Sequence, residues 1–69
     1  MKNNFGKRLY ELRKEKELTQ RQVAQALSVS ERTVSYWESG QRECSLDMLI
    51  AISAYFGVSV DFLLGKTDY

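Results

Sequence analysis

The sequence predicts an all-α fold: one compact domain, residues 1–69, built from five short helices. Three observations predict it. Apolar residues recur at helical spacing, whereas no segment alternates cleanly between apolar and polar residues over five or more positions. Four times an apolar residue precedes a Ser or Thr, and a second apolar residue follows that hydroxyl by four positions. That is the pattern of an N-cap with a hydrophobic staple. The chain has no proline to break a helix, and Gly40 and Gly57 stand where helices should stop.

The first helix, about 5–16, carries Phe5, Leu9 and Leu12 at i, i+4 and i+7. The second, about 20–27, starts behind Leu18-Thr19 with Val23 as staple partner, and Gln22 completes a capping box with Thr19. The third, about 31–39, starts behind Val29-Ser30, with Val34 as staple partner and Trp37 three residues on. The fourth, about 46–56, follows Cys44-Ser45 and offers a broad apolar face of Leu46, Leu49, Ile50, Phe56 and, weakly, Ile52. The fifth, about 60–65, follows Val58-Ser59 with Leu63 as partner. The link between helices two and three is very short, which makes residues 19–39 a helix-turn-helix unit.

Composition excludes several classes. A chain of 69 residues buries only about 60% of its unfolded surface, too little for a deep catalytic cleft. With one Cys and no His, an internal disulfide, a zinc finger and a His-based catalytic triad are all ruled out. The four scattered glycines form neither a P-loop nor a dinucleotide fingerprint. No nucleophile–base set follows from the spacing of Ser, Tyr, Lys and Glu, so no enzymatic activity, cofactor or metal is expected. The longest apolar run, Leu49 to Ala54, is broken by Ser53, and the first six residues lack the apolar stretch of a signal peptide. A soluble cytoplasmic protein is the expectation. The net charge of +1 argues at first sight against a nucleic-acid partner. It conceals an asymmetry: residues 1–42 hold nine Lys/Arg against five Asp/Glu, and residues 43–69 hold one Lys against four Asp/Glu.

The run from Leu18-Thr19-Gln20 through Ala24, Val34 and Trp37-Glu38-Ser39-Gly40 continues into Ser45-Leu46-Asp47-Met48-Leu49 and Gly57-Val58-Ser59-Val60-Asp61-Phe62-Leu63-Leu64-Gly65. Together these closely resemble the lambda-repressor/Cro-like, or Xre, helix-turn-helix family over residues 5–65. The resemblance implies a compact five-helix domain whose third helix enters the major groove of double-stranded DNA, as a transcriptional regulator and most often a repressor. On that reading Glu31, Arg32, Ser35 and Tyr36 face outward as base readers. Arg32 suits guanine O6/N7, Glu31 suits the cytosine amino group, and Tyr36 suits a thymine methyl or an acceptor. Thr19, Gln20, Ser30, Thr33, Ser39, Gln41 and Arg42 are the expected phosphate contacts, grouped at two helix N-termini and behind the reading helix. Each has a plainer reading. Glu31 at the first helical position complements the helix dipole, Arg32 is a solvated charge or a phosphate contact, Tyr36 packs on the domain edge, and Thr19 and Ser30 are ordinary caps.

The resemblance also pairs Arg13, late in helix one, with Glu38 at the end of the reading helix. It implies a homodimer on a pseudo-palindromic operator, for which Val58, Val60 and Phe62 are candidate contacts. Ser28 stands where the family's motif turn usually carries Gly; a positive φ there would cost Ser roughly 1 kcal/mol. Cys44 stands where Pro is common, and reads as a buried inert thiol or, less simply, as a redox sensor. Three other readings compete: an antitoxin or other regulator whose main partner is a protein such as a toxin or anti-repressor, the DNA-binding part of a longer chain, whose module ends much as Gly65-Lys66-Thr67-Asp68-Tyr69 does, and a helical domain that binds proteins only. The DNA-binding regulator is expected to repress, as the family resemblance implies and as 69 residues with no visible room for a separate activating domain suggest.

Overall fold

The computed structural model describes residues 4–66. They form α1 (Phe5–Glu15), α2 (Gln20–Leu27), α3 (Glu31–Ser39), α4 (Leu46–Phe56) and α5 (Val60–Leu63), with no strand among the described residues. Residues 67–69 of the tail lie outside them.

Four helices begin on the hydroxyls expected of them. Thr19, Ser30, Ser45 and Ser59 accept from the backbone N–H of Gln22, Thr33, Met48 and Phe62 at 3.0–3.1 Å. The Gln22 side chain accepts in return from the Thr19 N–H at 2.8 Å, closing the capping box. Behind each cap the staple is in place. Val23, Val34, Leu49 and Leu63 are buried, and Leu18, Val29, Cys44 and Val58 pack against them from the rim of the core.

The helices also end alike. Glu17, Ser28, Gly40, Gly57 and Gly65 all take positive φ, from 56° to 80°. In each case the following N–H reaches back five residues: Leu18 to Arg13, Val29 to Ala24, Gln41 to Tyr36, Val58 to Ser53 and Lys66 to Asp61, at 2.9–3.0 Å. This Schellman geometry satisfies carbonyls that a helix end leaves without partners. At α5 the turn arrives early, so the helix closes at Leu63 rather than at residue 65, and Leu64-Gly65 make the reversal.

The core takes Phe5, Leu9 and Leu12 from α1, Val23 and Ala24 from α2, Val34 and Trp37 from α3, Leu49, Ile52 and Phe56 from α4, and Leu63 from α5. Phe5 and Trp37 meet edge to face at 6.4 Å. The inner face of α4 differs from the expected one: Ile52 is fully buried, while Leu46 and Ile50 are 72% and 54% exposed. Leu49, Ile52 and Phe56 share one stripe, and at 100° per residue Leu46 and Ile50 lie roughly 90–130° round from it. Gly6 brings the backbone of α1 against that of α3. A Cβ there would press into the Trp37 carbonyl and lie 2.9 Å from that of Glu38, so only glycine lets the two backbones meet.

Candidate nucleic-acid interface

The site is built on α2, the three-residue connection Ser28-Val29-Ser30 and α3. Ala24 is buried between α2 and its neighbours, where its small side chain permits close packing. Ser28 takes the left-handed conformation at φ 60°, ψ 40° and reverses the chain into α3. Val34 and Trp37 turn inward, so the opposite face of α3 is presented to solvent.

One carboxylate ties the unit to α1. Glu38 Oε2 accepts from Arg13 Nε at 2.6 Å, and Oε1 accepts from Arg13 Nη2 at 3.0 Å. The same Oε1 accepts from the Gln20 side-chain amide at 3.0 Å, while Arg13 Nη1 donates to the Leu18 carbonyl at 3.0 Å. The two charged side chains are only 10% and 6% exposed. The hydrogen bond to Glu38 raises the Arg13 pKa further, against the opposing pull of burial. End of α1, start of α2 and end of α3 are thereby held in one fixed arrangement.

On the outward side Glu31 and Arg32 are exposed, and Thr33, Ser35 and Tyr36 are half-buried. Thr19, Ser30, Ser39, Gln41 and Arg42 are exposed, and Gln20 is half-buried. Several of these groups are engaged within the fold. The Ser30 and Thr33 hydroxyls lie 2.8 Å apart, the Ser39 hydroxyl donates to the Tyr36 carbonyl at 3.2 Å, and the Gln20 amide is turned onto Glu38. Arg32, Thr33, Tyr36 and Arg42 line one shallow recess, and Thr19, Gln20 and Glu31 line another with Lys14 and Glu17.

Cys44 sits half-buried beside the first recess, and burial pushes its thiol up from the usual range. It is therefore a packed, protonated group at neutral pH, which favours the inert reading over the redox one. Val58, Val60 and Phe62 are half-buried against the core, and the Arg8 guanidinium covers the Phe62 ring at 4.4 Å. Among the described residues, no three His, Cys, Asp or Glu side chains converge as a metal site, and no helix is long and apolar enough to cross a membrane.

Two residues of this region carry no clear mark in the sequence, and a third carries one that residue patterning alone passes over. Arg21 Nε lies 3.9 Å from Glu31 Oε1, so the first turns of α2 and α3 share an exposed ion pair. Only the packing of two helices brings these positions together. Glu17 gives no sign that its backbone turns left-handed. Gly6 does carry a signal: a glycine inside a helix is unfavourable unless a close approach requires it.

Two short helices joined through one left-handed residue, the second buried on one side and polar on the other, define a helix-turn-helix protein. A helix-turn-helix family model matches residues 9–63. The transcriptional activator BcrR of Enterococcus faecalis is 43% identical over 64 residues, 93% of this chain and 31% of that protein. The transcriptional regulator ImmR of Bacillus subtilis is 35% identical over 65 residues, 94% of this chain and 51% of that protein. The chain thus spans from under a third to about half the length of these curated relatives. Among solved structures, the P22 c2 repressor in complex with a synthetic operator superposes with a TM-score of 0.85 at 28% identity, covering 91% of this chain and 96% of that one. A transcriptional regulator from Listeria innocua reaches a TM-score of 0.89 at 36% identity, over 97% of this chain and 63% of that one. The chain belongs to the lambda-repressor-like helix-turn-helix family.

Proposed function

We propose that this chain is a sequence-specific double-stranded DNA-binding regulator of transcription that acts in the cytoplasm and inserts α3 into the major groove. The observation that carries the reading is the outward face of α3. Arg32, Ser35 and Tyr36 project from a helix whose far end is locked to α1 and α2 through Glu38. A groove-reading helix needs that rigidity, because base contacts are made at fixed spacing. Glu31 and Arg32 read from the N-terminal turn. Thr19, Gln20, Ser30, Thr33, Ser39, Gln41 and Arg42 flank the helix as phosphate contacts, and the second amide N–H of Gln20 serves this while the first stays on Glu38.

Repression by occlusion of promoter DNA is the favoured sign, by likeness to the P22 c2 repressor, solved in complex with a synthetic operator. A two-fold dimer would set two reading helices about 34 Å apart. Val58, Val60 and Phe62 keep part of their surface open to solvent for that contact.

The test is selection of bound sites from random duplex DNA. The expected product is an inverted repeat. Arg32→Ala should weaken binding to it by about 1–3 kcal/mol, or roughly 5- to 150-fold, with an unchanged melting temperature. If Glu31→Ala, Arg32→Ala and Tyr36→Ala combined leave affinity for that duplex unchanged, α3 is not the reading helix.

A further inference from the structure

Tyr36 is anchored twice by the segment that follows the reading helix. Its carbonyl accepts from the N–H of Gln41 at 3.0 Å and of Arg42 at 3.3 Å. Its ring lies beneath the Arg42 guanidinium, with 5.4 Å between the guanidinium carbon and the ring centroid. The ring is half-buried and Arg42 is exposed, so the contact stands at the surface where α3 meets solvent.

The geometry points to Arg42 as a positioning residue for Tyr36: by covering one face of the ring, its guanidinium sets the base preference at the pair Tyr36 reads. The inference rests on the DNA-reading function proposed above. A tyrosine on an open helix face samples several ring orientations, and a base pair is discriminated only by those that meet its edge. The backbone bonds from residues 41 and 42 fix where Arg42 starts, so its side chain reaches the ring at small entropic loss. The ring meets the guanidinium as a cation and takes no N–H donor from it, so its five donors remain for a phosphate. Arg42 therefore holds Tyr36 and donates to a phosphate at the same time, and the two contacts are coupled. A surface cation–π contact of this kind corresponds to about two- to fivefold in an equilibrium constant.

Lysine separates the two roles. It offers a phosphate the same charge, but its compact and strongly hydrated ammonium makes the weaker contact with the ring. The experiment uses the full 69-residue chain, the duplex selected by the wild-type protein, and a panel of duplexes with each base pair changed in turn. Affinities are measured by fluorescence anisotropy at several salt concentrations. Tyr36→Ala should erase the preference at a particular pair of the half-site. Arg42→Lys should keep the salt slope yet reduce the preference at that same pair by about two- to fivefold, leaving the other pairs alone. Arg42→Ala should show the same local loss and lower the salt slope by about 1 as well. If Arg42→Ala retains the wild-type preference at the pair that Tyr36→Ala identifies, the coupling is overturned while the reading helix stands. If Tyr36→Ala changes the preference at no pair, Tyr36 does not read bases, and the role of Arg42 falls with it.

Discussion

Removal of Glu38 should expose how much of the fold rests on one carboxylate. In Glu38→Ala, Arg13 loses the partners of Nε and Nη2 and keeps the Leu18 carbonyl and the Tyr10 ring, 5.3 Å from its guanidinium carbon, while Gln20 loses its acceptor. The guanidinium stays where it is, 10% exposed, without a countercharge. Breaking a buried pair from one side costs about 3–5 kcal/mol. At about 0.05–0.15 kcal/mol per residue the whole domain is stable by only about 3–10 kcal/mol. The variant should therefore melt at least about 12 °C lower, at about 4–8 °C per kcal/mol for a domain of this size. Trp37, the sole tryptophan and 5% exposed against Phe5, reports the transition by fluorescence in urea. The midpoint should fall with the slope unchanged. Added NaCl should not abolish the difference, because a buried pair is weakly screened. The double variant Arg13→Met with Glu38→Leu removes charge from both sides and should be markedly more stable than Glu38→Ala. A loss below about 1 kcal/mol in Glu38→Ala would mean that the pair behaves as an exposed one. A double variant as unstable as the single would mean that shape, not charge, is what the site supplies.

Other outcomes follow from particular residues. Gly6→Ala should destabilise by about 1–3 kcal/mol through overpacking against the α3 backbone, although Ala is the better helix former; a rise in melting temperature would refute the close approach. Ser28→Gly and Glu17→Gly should each stabilise by up to about 1 kcal/mol, because both positions are left-handed, and thermal melts without a gain would count against that account. Cys44 should react with iodoacetamide more slowly in the folded protein than in urea at pH 8, since burial raises its thiol pKa; equal rates would contradict the burial. Because the folded-state value is the higher one, this thiol contributes stability below its unfolded pKa, and the contribution fades as pH rises through the raised value.

Much of this fold is legible because helix starts are local chemistry. A hydroxyl and its staple partner lie within six residues, and Thr19, Ser30, Ser45 and Ser59 all act as that pattern says. Helix ends are legible where glycine marks them, as at Gly40 and Gly57, and silent at Glu17, where the left-handed turn follows from Leu18 docking on the core. The face of α4 is blurred by an excess of apolar residues: Leu46 and Ile50 are as hydrophobic as the residues that are buried, and only packing chooses between them. At the candidate interface the residue types were readable, yet their engagements were not. Gln20 on Glu38, Arg21 beside Glu31 and Arg42 over Tyr36 each join positions that approach only once the helices have packed or the chain has turned back.

The uniform helix ends have a kinetic consequence. Each of the five helices closes on a left-handed residue and a backbone bond reaching back five residues, and four open on a hydroxyl within the same short window. Chain reversals are thus specified by neighbours in sequence, and little loop closure is needed before the apolar faces meet. The sequence contains no proline, so prolyl isomerisation does not delay the search. Refolding should be a single phase in the microsecond-to-millisecond range of small helical domains, so that a newly made chain folds as soon as residues 4–66 have left the ribosome.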